Sequence, residues 1–276
     1  MVAPRASLAA LLVASAVILT PLMAGGWRLV TLPVWTGLVA LGWVSLVLAR
    51  WNGGRTLTVP LLSLCLGALG LLTALQALPL GGLLAWVSPR AYEIRAFVHP
   101  EGPMPVSYEV GATLREASKL FAYALAAAVA HEVARRRTAR RVLVPVVVAG
   151  VVSVLAAFVH RALGLDALWG VFTAQRPASG LVTTFFNPNH TGAFLVLTGL
   201  VSAGLGVDAP QRGARFAYVA VAVWLIGASV LEPSKGGVLA LGVGLGLFGF
   251  LLWRRRRTEA PMSHTATATY AKRAPR

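Results

Sequence analysis

Asn187, Pro188, Asn189 and His190 stand together just before an apolar run, within the stretch GLVTTFFNPNHTGAF that spans residues 180–194. Two carboxamides, a proline and an imidazole do not stabilise a hydrophobic helix. At a membrane edge they need hydrogen-bonding partners, and a polar ligand is one way to supply them. Arg176 lies eleven residues before Asn187, and Lys235 follows Ser234 in a second turn, EPSKGG. Cations in a partly dry cleft suit phosphate or pyrophosphate, which arginine can grip through two parallel N–H bonds. His190 and His99 are the imidazoles that could act there as a base. Asn and Pro also form turns, and Asn189 could simply cap the helix that follows. Capping explains part of the cluster. It does not explain two asparagines and a histidine beside Phe185 and Phe186.

Other chemistries lack their residues. The chain has nine acidic residues, of which only Asp166 and Asp208 are aspartates. No paired carboxylates fall in one outer loop and no Cys/His cluster occurs, so a metal-dependent sugar transferase or a metalloprotease is disfavoured. A glycine-rich phosphate loop ending in Lys-Ser/Thr is absent, so ATP-driven chemistry has no seat. No metal or cofactor is expected. The single cysteine, Cys65, sits in an apolar block and reads as packing.

The elements that position these residues are set by hydropathy. The chain is 57% hydrophobic, with mean hydropathy +0.73, against about 45–50% for a soluble domain. Its apolar residues form long blocks, each near the length that crosses a bilayer, without the short alternating segments of a membrane β-barrel. The blocks predict an all-α polytopic membrane protein with eight helices, at 7–24, 29–49, 57–78, 114–134, 142–163, 191–207, 215–231 and 236–253. The net charge of +16 is not a nucleic-acid footprint, because the cations gather at the ends of apolar blocks. With the N-terminus inside, inner segments carry 17 of the 25 Lys and Arg, which predicts both termini in the cytoplasm.

The outer face then has two long loops, roughly 80–113 and 164–190. The first contains SPRAYEIRAFVHPEGPMP, whose prolines argue against a spanning helix. Arg90, Arg95, Arg161, Arg176, Lys235, His99, His160 and His190 all fall on this side. Glu116 and Lys119, three apart near the outer end of the fourth helix, can pair. Residues 1–253 read as one transmembrane domain, and 254–276 as a basic, disordered cytoplasmic tail.

At these residues the sequence resembles the O-antigen ligase and polymerase-like family of bacterial envelope proteins. The family pattern gxFxNPNhxa opening a helix is matched by Thr184-Phe185-Phe186-Asn187-Pro188-Asn189-His190-Thr191-Gly192-Ala193. Its Ser-Arg-Gly-Gly turn is matched by Ser234-Lys235-Gly236-Gly237. A weaker LQALPL segment followed by SPR falls at Leu75–Leu80 and Ser88–Arg90. The resemblance covers roughly residues 70–255. It implies a GT-C-like partial bundle in the bacterial inner membrane. It also implies a metal-independent glycosyltransferase that moves a glycan from a polyprenyl diphosphate carrier to an acceptor, lipid A-core or a growing chain, on the periplasmic face. Family arginines hold the diphosphate, a role that carries over to Arg176 and to Lys235. The substrate-binding set it implies is thus Arg176, Asn187, Asn189, His190, Ser234 and Lys235.

Two departures stand out. Lysine replaces arginine in the Ser-Arg-Gly-Gly turn, keeping the charge and losing the planar fork. Family members also continue past this turn into further helices and a periplasmic loop with a histidine, whereas here a basic tail follows. The chain is therefore expected to lack the family's C-terminal part. Two rival expectations follow: a non-catalytic remnant or partner subunit, and a transporter of small anions. A transporter should show broken helices at mid-membrane or two matching halves; no such symmetry is seen, and the polar residues gather at one face.

Overall fold

In lipid an uninterrupted apolar segment has one inexpensive conformation, a helix in which each backbone N–H finds its carbonyl inside the segment. The computed structural model describes residues 4–23, 31–54, 56–98, 104–136, 138–165, 167–171, 184–185, 187–231 and 234–259. Among them are ten α-helices and no β-strand: α1 (Pro4–Leu22), α2 (Thr31–Trp51), α3 (Leu61–Leu75), α4 (Gly81–Val87), α5 (Pro89–Val98), α6 (Val110–Arg136), α7 (Arg140–Ala162), α8 (Pro188–Val207), α9 (Arg212–Leu231) and α10 (Lys235–Glu259).

A helix stands at each of the eight predicted blocks, with ends displaced by a few residues. Length and hydropathy mark five of them, α2, α7, α8, α9 and α10, as able to cross a membrane. The apolar parts of α1 and α3 are shorter. α6 is long enough but carries Arg115, Glu116, Lys119, Glu132 and Arg135.

Two helices, α4 and α5, occupy the stretch read as an outer loop. Pro89 is the first residue of α5, where its fixed φ and missing N–H cost nothing. Pro89 thus starts a helix of ten residues, too short to span a membrane. Two backbone bonds pin this hairpin: Gly81 N–H donates to Met104 O at 2.8 Å and Ser107 N–H to Gln76 O at 2.8 Å. A Cβ at Gly81 would stand 2.6 Å from Met104 O, so only glycine admits that approach.

The chain divides into two compact units, Met1–Ala149 and Gly150–Arg276, with the boundary inside α7. In the first unit, Ala9, Val13, Leu46, Val129 and Val133 form one apolar cluster, and Ala16, Trp35, Val39 and Ala122 a second. Trp35 stacks on Tyr123 at 5.4 Å. Beside the first cluster a buried charge joins α6 to α2: Glu132, 1% exposed, accepts from Arg50 at 2.6 Å and lies 3.4 Å from Arg135. At the other end of α6, Lys119 pairs with Glu116 at 2.6 Å, as their spacing predicts.

In the second unit α8 is the axis. Its small residues let neighbours close in: a Cβ at Gly199 would stand 2.8 Å from Ile226 of α9, the contact that small residues provide in membrane helix pairs. Val154, Leu195, Leu225 and Ala228 form the core. α10 shows the opposite character. Val238, Leu239, Val243, Leu245, Leu247, Phe250 and Leu251 are exposed, a continuous apolar face that calls for an apolar surrounding. The helix runs on through the four arginines to Glu259, so the basic stretch begins as helix, with Arg255 paired to Asp208 at 2.6 Å. Cys65 is exposed on α3 and does not pack into a core.

The Glu132 pair generates a test. Glu132→Ala leaves Arg50 shielded beside an apolar cluster without its carboxylate, and should lower stability by about 3–5 kcal/mol. The double variant Arg50→Met/Glu132→Met should recover most of that loss. Thermal unfolding in a neutral detergent measures both.

Candidate functional site

The residue before a proline is driven to extended backbone. Asn187 is there, at φ −109° and ψ 116°, with Pro188 as the first residue of α8. From that position its side chain folds back, and Asn187 Oδ1 accepts from Asn189 N–H at 2.9 Å. The cap of α8 is therefore Asn187, not Asn189, and the helix starts three residues earlier than hydropathy placed it. Phe185, two residues before the cap, meets Phe194 in the second turn of α8, ring centroids 5.1 Å apart.

Freed from capping, the side chain of Asn189 does something else. Its Oδ1 accepts from Ser234 Oγ at 3.0 Å and from Gly236 N–H at 3.4 Å. Gly237 N–H donates in turn to Ser234 Oγ at 2.8 Å. The asparagine motif and the Ser-Lys-Gly-Gly turn, apart in sequence, thus form one joint where α8 and α10 begin. Ser234 is buried there. Two glycines permit the approach: a Cβ at Gly192 would stand 3.2 Å from Gly237 Cα, and one at Gly237 would stand 3.1 Å from Gly192 Cα.

The geometry fixes which amide atoms face outward. A backbone N–H can only donate, so the atoms of Asn187 and Asn189 that receive it are oxygens. Each carboxamide spends its acceptor on the protein and leaves its Nδ2 donors without a partner among the described residues. Asn187, Asn189, His190 and Lys235 are all exposed. Thr184, fully buried at the same end of α8, has an Oγ1 without a partner among the described residues. Both helices point their N-termini into the joint, and neither has an acidic residue in its first turn. Their dipoles and Lys235 favour an anion. First-turn amides are largely taken: His190 and Thr191 donate to Asn187 O, and Val238 to Ser234 O. A ligand would therefore meet side-chain donors.

Of the predicted residues, the structure brings together Asn187, Asn189, His190, Ser234 and Lys235. Arg176 and His99 lie outside the described residues. His160, counted with the outer-face histidines, is fully buried. Its Nε2 accepts from Trp169 N–H at 2.7 Å and its Nδ1 donates to Ala156 O at 2.6 Å. With both nitrogens spent, His160 holds the turn after α7 and is no base. Among the described residues no group of three His, Cys, Asp or Glu gathers in metal-binding reach. Sequence reading missed Gly192 as part of the joint; its close approach to Gly237 becomes visible only once the two helices are placed. No family model, curated protein or solved structure matches the chain.

Asn189→Ala should remove the one oxygen that accepts from Ser234 and Gly236, strand the buried Ser234 hydroxyl and cost about 1–3 kcal/mol. Asn189→Asp keeps an oxygen facing Ser234 and Gly236 and should unfold within about 1 kcal/mol of wild type. Paired thermal melts of the two variants check the difference.

Proposed function

We propose that the chain is an O-antigen ligase-like protein of the bacterial inner membrane, with eight spans and both termini in the cytoplasm. In this reading it holds a polyprenyl diphosphate-linked glycan on the periplasmic face and passes the glycan to lipid A-core or a growing chain. The observation that carries the reading is the hydrogen bond from Ser234 to Asn189. It unites two of the three segments on which the resemblance rests, at an edge that presents the carboxamide N–H groups of Asn187 and Asn189 and the ammonium of Lys235.

The chemistry follows from that donor set. A diphosphate carries several anionic oxygens and is already a good leaving group. As its bond to the glycan breaks, negative charge grows on the bridging oxygen. Lys235, Arg176 and the Nδ2 groups of Asn187 and Asn189 are assigned to hold that charge, which lowers the barrier without a metal. His190, exposed beside them, is the candidate to take the acceptor hydroxyl's proton. The two helix N-termini add a fixed positive field that needs no rearrangement during the reaction.

The test is glycan attachment in a bacterial strain lacking its own O-antigen ligase. Wild type should restore capped lipid A. Asn189→Asp turns two donors into a negative charge in a folded protein, and should lower attachment by at least about tenfold. Arg176→Ala should do the same, while Lys235→Arg, the residue of the family turn, should retain activity. A wild-type chain that inserts into the membrane and attaches no glycan would contradict the proposal.

A further inference from the structure

Arginine cannot shed its charge by deprotonation, so a buried guanidinium must find acceptors. Arg95 of α5 is 1% exposed. Its Nη1 donates to Pro105 O and, at 2.7 Å, to Ser107 O, and the ring of Tyr108 lies against the guanidinium with its centroid 3.9 Å from Cζ. The segment that supplies these contacts is held firmly. Ser107 Oγ bonds Thr113 Oγ1 and accepts from Glu109 N–H at 3.2 Å.

The other edge is different. Nε and Nη2 are both buried and neither has a hydrogen-bond partner among the described residues. These two nitrogens form the side of the guanidinium that presents parallel N–H bonds, the edge best matched to a carboxylate or phosphate. No described carboxylate pairs with Arg95. A desolvated, charged double donor without an acceptor is costly, and the cradle around it is too well bonded to be accidental packing. The surroundings favour a lipid source. Trp86, Val87, Ile94, Phe97 and Tyr108 are exposed on the same hairpin and loop, the composition of a segment lying at a membrane interface, where headgroup phosphates sit.

We propose that Arg95 is a phosphate receptor: its Nε–Nη2 edge takes two oxygens of a phosphate group, from a phospholipid headgroup or from free phosphate, in the cradle of α5 and residues 104–109. Tyr108, exposed and resting on the guanidinium, is the residue that moves to admit it. The site lies within the first unit and does not depend on the function assigned to α8 and α10.

The experiment uses the full chain, purified in neutral detergent and stripped of lipid. It is offered phosphatidylglycerol, diacylglycerol or inorganic phosphate, and read by native mass spectrometry and by hydrogen exchange over residues 104–110. Phosphatidylglycerol should be retained and slow exchange in that segment; diacylglycerol should do neither. Arg95→Lys keeps the charge without the fork and should bind phosphatidylglycerol at least about tenfold more weakly. Slowing by inorganic phosphate as well identifies a free anion as a ligand, and slowing by the lipid only identifies the headgroup. Exchange unmoved by either phosphate probe, equal effects of diacylglycerol and phosphatidylglycerol, or undiminished binding by Arg95→Lys would overturn the proposal. If Arg95→Lys does not fold, wild-type exchange still decides.

Discussion

One oxygen organises the second unit. Asn189 Oδ1 receives the Ser234 hydroxyl and the Gly236 amide, so the first turn of α8 and the first turn of α10 are held as one surface. The bond is possible because Asn187, driven extended by Pro188, takes over the cap and releases Asn189 from it. Two glycines without side chains then let the backbones meet. Each step depends on the one before it. The outward donors of Asn187 and Asn189 are the by-product: each amide turns its acceptor inward and its nitrogen toward whatever fills the edge.

The two units handle buried polarity in contrasting ways. In the first, Glu132 is compensated within the protein by Arg50 and Arg135, and that charge reads as architecture. Arg95 is compensated only along one edge, and the shortfall is what points to a ligand. In the second, the buried His160 has both nitrogens satisfied, while His190 is exposed. Completeness of hydrogen bonding, more than residue type, distinguishes these groups from one another.

The helices were legible in the sequence because hydropathy alone decides them: long apolar blocks have no other low-cost state in lipid. Their ends were less so. α8 was placed to begin at Thr191 since apolar periodicity starts there, yet a proline at the first helical position and an asparagine before it already mark the earlier start. α4 and α5 leave no spanning-block signal, because α4 is apolar but only seven residues long and α5 mixes charged with apolar residues. The polar cluster itself stood out, as did the Ser-Lys-Gly-Gly turn. Their union did not, because a contact between residues 189 and 234 is tertiary and leaves no trace in local spacing. The burial of His160 is illegible for the same reason: its partner amide, Trp169, is brought to it by a turn with positive φ at Trp169 itself.

The central claim is that the asparagine motif and the Ser-Lys-Gly-Gly turn meet at one edge. A cysteine pair tests it directly. A Cβ at position 236 would lie 3.6 Å from that of Asn189, inside the range of about 3.5–4.5 Å found across disulfides. The chain carrying Asn189→Cys and Gly236→Cys, with Cys65→Ser to remove the natural thiol, should close an intrachain disulfide in membranes under mild oxidation and become inert to maleimide. Two thiols that both stay reactive under those conditions would contradict the account.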